Sequence, residues 1–507
     1  MVSGQWLVRL ALVVGILRPP LVSSRSVSPH VSPSEWFLGY PVLHSSVPNN
    51  RPTKRSFVSP VVDAFVANIS QRMKDVELAS VFTNAFPNAL DTTIQSFNAT
   101  DTFIITGDID AMWLRDSMNQ VNAYMPFLKK DPRLKSMVAG VIRRHVYSIL
   151  LDPFANAFSF DDKCENTCPH QSDKRAPPMN NNIFEGKFEL DSLCATLRLS
   201  AQYYDATEGD TAVFGKQWAN AVQVIMDTIV YFQSSSYDDE PSPNYSFERQ
   251  TQTSTDTLMK HGRGSPGRRT GMARSFFRGS DDSTLLPFNV PANAMAVVNL
   301  RRVGSILAKL GHSKMSTDAM DLADSIDKGI QSFGKMNGGQ RPYYAYEVDG
   351  YMSSYFMDDA NIPSLLALPY MGYTTVDDAV YKNTRGLVLS DSNPYYFNGK
   401  SFAGVGGPHN GYPYVWPMAL IQQALSSDDD QEIIKLLELL KLAASAGTTT
   451  LKGQGKGFMK ESVHMNNASD FTRPWFAWCN TLFGELIVEI SQSRPHLLFA
   501  ANDGSGM

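Results

Sequence analysis

Glu189-Leu190-Asp191-Ser192-Leu193-Cys194-Ala195-Thr196-Leu197-Arg198-Leu199-Ser200-Ala201-Gln202-Tyr203-Tyr204 decides the class of fold. Its apolar residues recur at three- and four-residue spacing, the pattern of a helix that buries one face against a partner. The same spacing returns over residues 61–74, 118–128, 135–152, 213–233, 293–310, 315–335, 415–425, 431–446 and 475–490. So many amphipathic segments predict an all-α fold. Strand signals are short and local, as in Tyr343-Tyr344-Ala345-Tyr346-Glu347-Val348, and the loops between helices are long, polar and rich in glycine. A helical scaffold supplies rigidity and its loops supply chemistry, which predicts a helical toroid with a loop-built pocket.

With 507 residues the chain is long enough for two or three average domains, although α/α barrels of about 400 residues fold as one unit. A content of 43% hydrophobic and 11% aromatic residues supplies a large core. The net charge of -5 argues against a nucleic-acid-binding surface and for neutral partners. Residues 1–25 hold one apolar run, Leu10 to Leu17, flanked by Arg9 and Arg18, which reads as a secretory signal or a short N-terminal hydrophobic segment, with a type II anchor as the alternative. No stable membrane insertion is expected, and the mature chain is expected in the secretory pathway, secreted or lumenal. Acceptor triplets at Asn68, Asn98, Asn244 and Asn467 permit N-glycosylation there. The segment 26–54, rich in Ser and Pro, reads as a linker, 55–495 as the folded domain and 496–507 as a tail. A Cys164–Cys168 disulfide fits an oxidising compartment, while Cys194 and Cys479 read as buried thiols. Residues 237–269 read as a surface insertion.

Four segments carry chemistry. Thr106-Gly107-Asp108-Ile109-Asp110-Ala111-Met112-Trp113-Leu114-Arg115-Asp116-Ser117 packs three acids, an arginine and a tryptophan before a helix. Helix capping is the simpler reading. A cap does not call for Trp113 and Arg115, however, whereas a pyranose stacked on the indole with carboxylates on its hydroxyls uses all of them. Phe276-Phe277-Arg278-Gly279-Ser280-Asp281-Asp282 is turn chemistry in part. Its adjacent acids, if buried together, predict that one pKa rises, as a general acid requires. Gly404-Val405-Gly406-Gly407-Pro408-His409-Asn410-Gly411 lacks the Lys-Ser/Thr of a phosphate loop and instead brings His409 and the aromatics through Trp416 to a pocket. Phe458-Met459-Lys460-Glu461-Ser462-Val463-His464, followed by Thr472-Arg473-Pro474-Trp475, offers Glu461 as a base that a nearby cation keeps ionised; a surface pair with Lys460 is the alternative. Glu485, among apolar helical neighbours, reads as structural. Carboxylates framed by rings and guanidinium groups point to glycoside hydrolysis.

Together with Tyr344 to Gly350 and Met357-Asp358-Asp359-Ala360-Asn361, these segments resemble glycoside hydrolase family 125 over roughly residues 60 to 490, in matching order. The resemblance implies an (α/α)6 barrel, a metal-independent exo-α-1,6-mannosidase without cofactor, and inverting attack by water on a terminal mannose. It implies that Asp281 or Asp282 protonates the departing oxygen and that Glu461 activates water. Asp108, Trp113, Arg115, Asp116, Arg278, His409, Trp416, His464, Arg473 and Trp475 would shape the sugar site. A calcium-dependent α-mannosidase of another family and a mannoside-binding paralogue without turnover are the alternatives. Two departures bear on the second. Gly279 stands where family members commonly have Pro, which would loosen the backbone, and Lys460 where they commonly have His, which would weaken the base or point away. Asn467 places an acceptor triplet near the presumed rim.

Overall fold

The pairing of short strands with helix starts organises the molecule. In the computed structural model the described residues are 50–160, 173–239, 244–337, 339, 341–447 and 456–500, all within one compact unit. The N-terminal apolar segment and the two close-spaced cysteines lie outside them. Helix Val290–Lys309 packs on Leu190–Ala206, which packs on Leu114–Asn122, then Ala477–Ser493, then Pro417–Leu425. Residues 361–373 supply buried turns beside this series. Their turn is held by Asp358, which accepts from Leu365 N and Leu366 N, and by Ser364, which donates to Gln422. Outer helices, among them Pro132–Leu151, Lys216–Phe232, Ser313–Gly329 and Asp430–Ser445, back the series, giving the expected (α/α)6 barrel.

The first turn of Leu114–Asn122 shows how the barrel positions side chains. Sequence spacing starts this helix at 118, but it starts at Leu114 because Trp113 is held extended in the strand Met112–Trp113, opposite Ala157. Arg115 and Asp116 thereby sit on helical backbone at the barrel mouth rather than in a loop. Comparable three-stranded ladders precede two of the other inner helices. Tyr414 and Val415 pair with His464 and Val463 before Pro417–Leu425, and Phe288 and Asn289 pair with Val348 and Glu347 before Val290–Lys309. The starts of Leu114–Asn122, Pro417–Leu425 and Ala477–Ser493 line one mouth. Helices Val76–Ala85, Asn88–Thr92 and Ala379–Val388 carry no spacing strong enough to be read from sequence.

Three boundaries differ from those read in the sequence. Order begins before residue 55, since Arg51 pairs with Asp63 and Asp91. The C-terminal tail starts later than 496, because Leu497, Leu498 and Phe499 are buried and Phe499 bridges to Met73. The stretch after 237 is more than a surface insertion: the strand Ser246–Glu248 pairs with Lys174–Ala176, and buried Tyr245 donates to Gly186 O and accepts from Phe188 N. Cys194 and Cys479 are buried free thiols, as expected, and the four asparagines of the acceptor triplets are exposed.

Candidate active site

At the mouth a small cleft is lined by segments from four regions of the chain. The first contributes Thr106, Ile109, Trp113, Arg115 and Asp116; the second Gly279, Ser280 and Asp281, with Asn361; the third His409 and Trp416; the fourth Glu461, Arg473 and Phe476. Most of the residues singled out from sequence converge here, although they lie as much as 360 positions apart, as Trp113 and Arg473 do.

Asp281 and Asp282 are separated by backbone geometry. Asp281 has φ +67, a left-handed conformation that aspartate tolerates better than most residues, inside a turn closed by Asp281 N to Arg278 O (2.9 Å) and Arg278 N to Asp282 O (2.8 Å). The two carboxyls therefore diverge. Asp281 opens on the cleft, and its Oδ1 accepts from Trp113 Nε1 (3.1 Å), Arg115 Nη2 (2.9 Å) and Asn156 Nδ2 (3.1 Å). Asp282 turns inward, with Oδ1 3.7 Å from His409 Nδ1. Behind the turn, Asp359 accepts from Ser280 Oγ (2.7 Å) and Asn361 Nδ2 (3.0 Å), so the Met357–Asn361 motif braces the Asp281 loop.

The expectation that one of these adjacent acids has a raised pKa is overturned. Burial does push both up, but for Asp281 the charges of Arg115 and Lys187 outweigh it, and for Asp282 the His409 ring does, so both lie below the ordinary carboxylate range. The raised carboxyls are neighbours: burial lifts Asp116 and Asp191 to about 6 and Glu189 well above its usual value, against the pull of Arg115. For His409, burial disfavours the charged ring, yet Asp282 raises it to about 9. An NMR pH titration is expected to place the His409 midpoint near that value, and to bring it down in Asp282→Asn; a midpoint at the ordinary imidazole value in the unmodified protein would contradict the pairing.

Glu461 comes from the far wall. Its Oε2 accepts from Thr472 Oγ1 (2.7 Å) and Asn410 Nδ2 (3.0 Å), and Arg473 Nε stands 3.4 Å from Oε1 while also 3.3 Å from Asp108. Lys460 points away: its ammonium donates to Phe458 O (3.2 Å) and lies 5.2 Å from the Phe471 ring centre, and burial lowers its pKa to about 7. The cation at the base is Arg473. Gly279 is not slack either, since a Cβ there would meet Ile362 O at 3.2 Å and Asp191 Oδ2 at 3.3 Å.

Three residues expected at the sugar site stand elsewhere. Arg278 is buried against Glu347 (2.7 Å) and over Tyr346, holding the Asp281 loop from behind. His464 pairs with Tyr414 across the ladder, and its Nδ1 accepts from Asn466 N (3.1 Å). Trp475 packs with Phe458 and Ala477 beneath Gly107, while Phe476 lines the cleft. Neighbouring residues on extended backbone point to opposite sides, and Phe476 is extended (φ -140, ψ 111). Gly107 has φ +130, and a Cβ there would lie 2.3 Å from the Trp475 ring. Gly107→Ala is expected to destabilise by about 2–4 kcal/mol in urea unfolding; a change below about 0.5 kcal/mol would contradict this packing.

Sequence reading missed Glu189, Asp191, Asn156 and Lys187. Arg115 joins three of the carboxylates, contacting Glu189 (3.0 Å), Asp191 (3.2 Å) and Asp281, as well as Asp116 (2.8 Å). Lys187 donates to Asp281 O (2.8 Å) and pairs with Asp256 (2.6 Å). The available signal was a pair of acids, Glu189 and Asp191, set among leucines at the start of a helix buried on nearly every face. Glu485, by contrast, lies midway along its helix, accepts from Asn122 and Tyr370, and does not line this cleft.

A pocket with carboxylates on facing walls, aromatic sides and guanidinium groups, set at the mouth of an (α/α)6 barrel, defines the class as glycoside hydrolase. Residues 75–488 match the family of metal-independent α-mannosidases, glycoside hydrolase family 125. The chain is 42% identical over 472 residues to the meiotically up-regulated gene 157 protein of Schizosaccharomyces pombe, spanning 89% of this chain and 90% of that one. It superposes with TM-score 0.80 and 35% identity on a metal-independent α-mannosidase of Streptococcus pneumoniae in a non-productive complex with α-1,6-mannobiose, covering 87% of this chain and all of that one. A family 78 rhamnosidase of Bacillus sp. GL1, at 12% identity and TM-score 0.50 over 82% of this chain and 35% of its own, shares the fold alone. The chain belongs to glycoside hydrolase family 125 and is an α-mannosidase.

Proposed function

We propose that this protein removes terminal, non-reducing α-1,6-linked mannose from glycans or mannosides, with inversion at the anomeric carbon. The observation that carries the reading is that Asp281 and Glu461, from different loops, open on one small cleft. Asp281 protonates the glycosidic oxygen, and Glu461, oriented by Thr472 and Asn410, takes a proton from the attacking water. Asp108 and Arg473 at the rim and Asp116 deeper in supply hydrogen bonds to sugar hydroxyls, and Trp416 and Phe476 supply apolar contact. The linkage is supported by the mannobiose held by the pneumococcal relative. Turnover, rather than binding alone, is supported by Lys460 lying turned away from Glu461 and by the close packing around Gly279. Assay of α-1,6-, α-1,3- and α-1,2-mannobiose is expected to show free mannose from the first isomer in strong preference. Equal rates on all three, or saturable binding without release, would overturn the proposal.

A further inference from the structure

Four carboxylates, Asp116, Glu189, Asp191 and Asp281, converge on the one guanidinium of Arg115, whose side chain is 5% exposed, with Glu189 and Asp191 at 0% and 1%. A single positive charge does not neutralise four negative ones away from water, so the cluster holds protons. Glu189 is bound to Asp281 by shared donors. Arg115 Nη2 reaches both carboxyls, at 3.0 and 2.9 Å, and Asn156 Nδ2 reaches both, at 2.9 and 3.1 Å. The shared donors hold the two carboxyls side by side, an arrangement in which one proton serves both. Ser192 Oγ completes the Glu189 environment, donating to Oε2 at 2.8 Å. Of the pair, Asp281 alone opens on the cleft.

The charged groups around the pair come from every side: Arg115 and Asp116 from one helix, Asp191 from the next, Lys187 with its partners Glu185 and Asp256 from behind, and His409 and Arg473 from the facing loops. Asp281, with a quarter of its side chain exposed and both Arg115 and Lys187 beside it, is the member of the pair that stays ionised, whereas the wholly buried Glu189 is the member that stays neutral. A general acid that rests ionised needs a proton source within reach.

We propose that Glu189 is the positioning residue that stores the catalytic proton and passes it to Asp281 when substrate fills the cleft. The inference rests on Asp281 as the general acid. Glu189 O–H gives its proton to Asp281, and Asp281 gives it to the glycosidic oxygen as the C1–O bond breaks and the bonding pair leaves with that oxygen. Water forms the new bond to C1, and its proton goes to Glu461. Glu461 then releases that proton to solvent, and the Glu189–Asp281 pair regains one, so no further reactant is needed.

The test compares Glu189→Gln, Asp281→Asn and the unmodified enzyme on α-1,6-mannobiose, whose leaving group needs protonation, and on 2,4-dinitrophenyl α-mannoside, whose leaving group does not. Glu189→Gln is expected to lose about 100-fold in kcat on mannobiose, with little change in KM and far less loss on the aryl mannoside. The basic limb of its kcat profile is expected to move to lower pH. Equal loss on both substrates, or undiminished kcat on mannobiose, overturns proton storage by Glu189. Absence of leaving-group selectivity in Asp281→Asn overturns the general-acid assignment instead. Ser192→Ala gives a second measurement independent of how well the Gln variant folds: losing a donor to Glu189 moves the basic limb to higher pH, and an unmoved limb overturns the proposal.

Discussion

Glu461→Ala is expected to lower kcat on α-1,6-mannobiose by about 10²–10⁴-fold while leaving KM nearly unchanged. The side chain is nearly buried, and its Oε2 is fixed by Thr472 and Asn410, so its freedom is spent on orienting one carboxylate toward the cleft. A base acts on water rather than on the sugar, and its removal therefore costs transition-state stabilisation without ground-state binding. Azide, which attacks without needing deprotonation, is expected to restore turnover and to yield β-mannosyl azide. Azide-independent activity close to that of the unmodified enzyme would remove Glu461 from the mechanism.

Arg115→Met is expected to cost about 3–5 kcal/mol of folding stability at neutral pH, because breaking a buried ion cluster leaves unpaired charges. The loss depends on pH in a definite direction. Asp116 and Asp191 already have folded pKa values raised to about 6, so their contribution is present at low pH and is lost as pH rises through that value. Without Arg115 their pKa values rise further, and the folded state binds more protons than the unfolded one over a wider range. Urea unfolding at pH 5 and pH 8 is therefore expected to show a smaller penalty for Arg115→Met at the lower pH. A penalty independent of pH would mean that the carboxylates are not held by this guanidinium.

The fold was legible because burial on a helical scaffold imposes a period that the residues 189–204 and their counterparts display openly. Site residues next to turns and rings were legible for a related reason: Trp113, Arg115, His409 and Arg473 are large aromatic or charged side chains that capping and turn chemistry alone does not call for. Two kinds of information were not local. The divergence of Asp281 from Asp282 follows from one left-handed backbone angle, and the exchange of Trp475 for Phe476 at the cleft follows from the parity of extended backbone at a helix start. Glu189 was hidden because an acid at the start of a helix is ordinary capping chemistry. Its meaning appears only when Arg115 and Asn156, 74 and 33 positions away, close around it. Arg278 misled for the opposite reason: a guanidinium beside the acids looks like a sugar ligand, but its partner Glu347 lies 69 positions on.

The most direct test of the mechanism is proton NMR of α-1,6-mannobiose during hydrolysis, with chelator present, read before the sugar equilibrates. β-Mannose is expected to appear first, as single displacement by a water activated at Glu461 requires. Initial accumulation of α-mannose would contradict it, because retention demands a covalent intermediate and a different division of labour between Asp281 and Glu461.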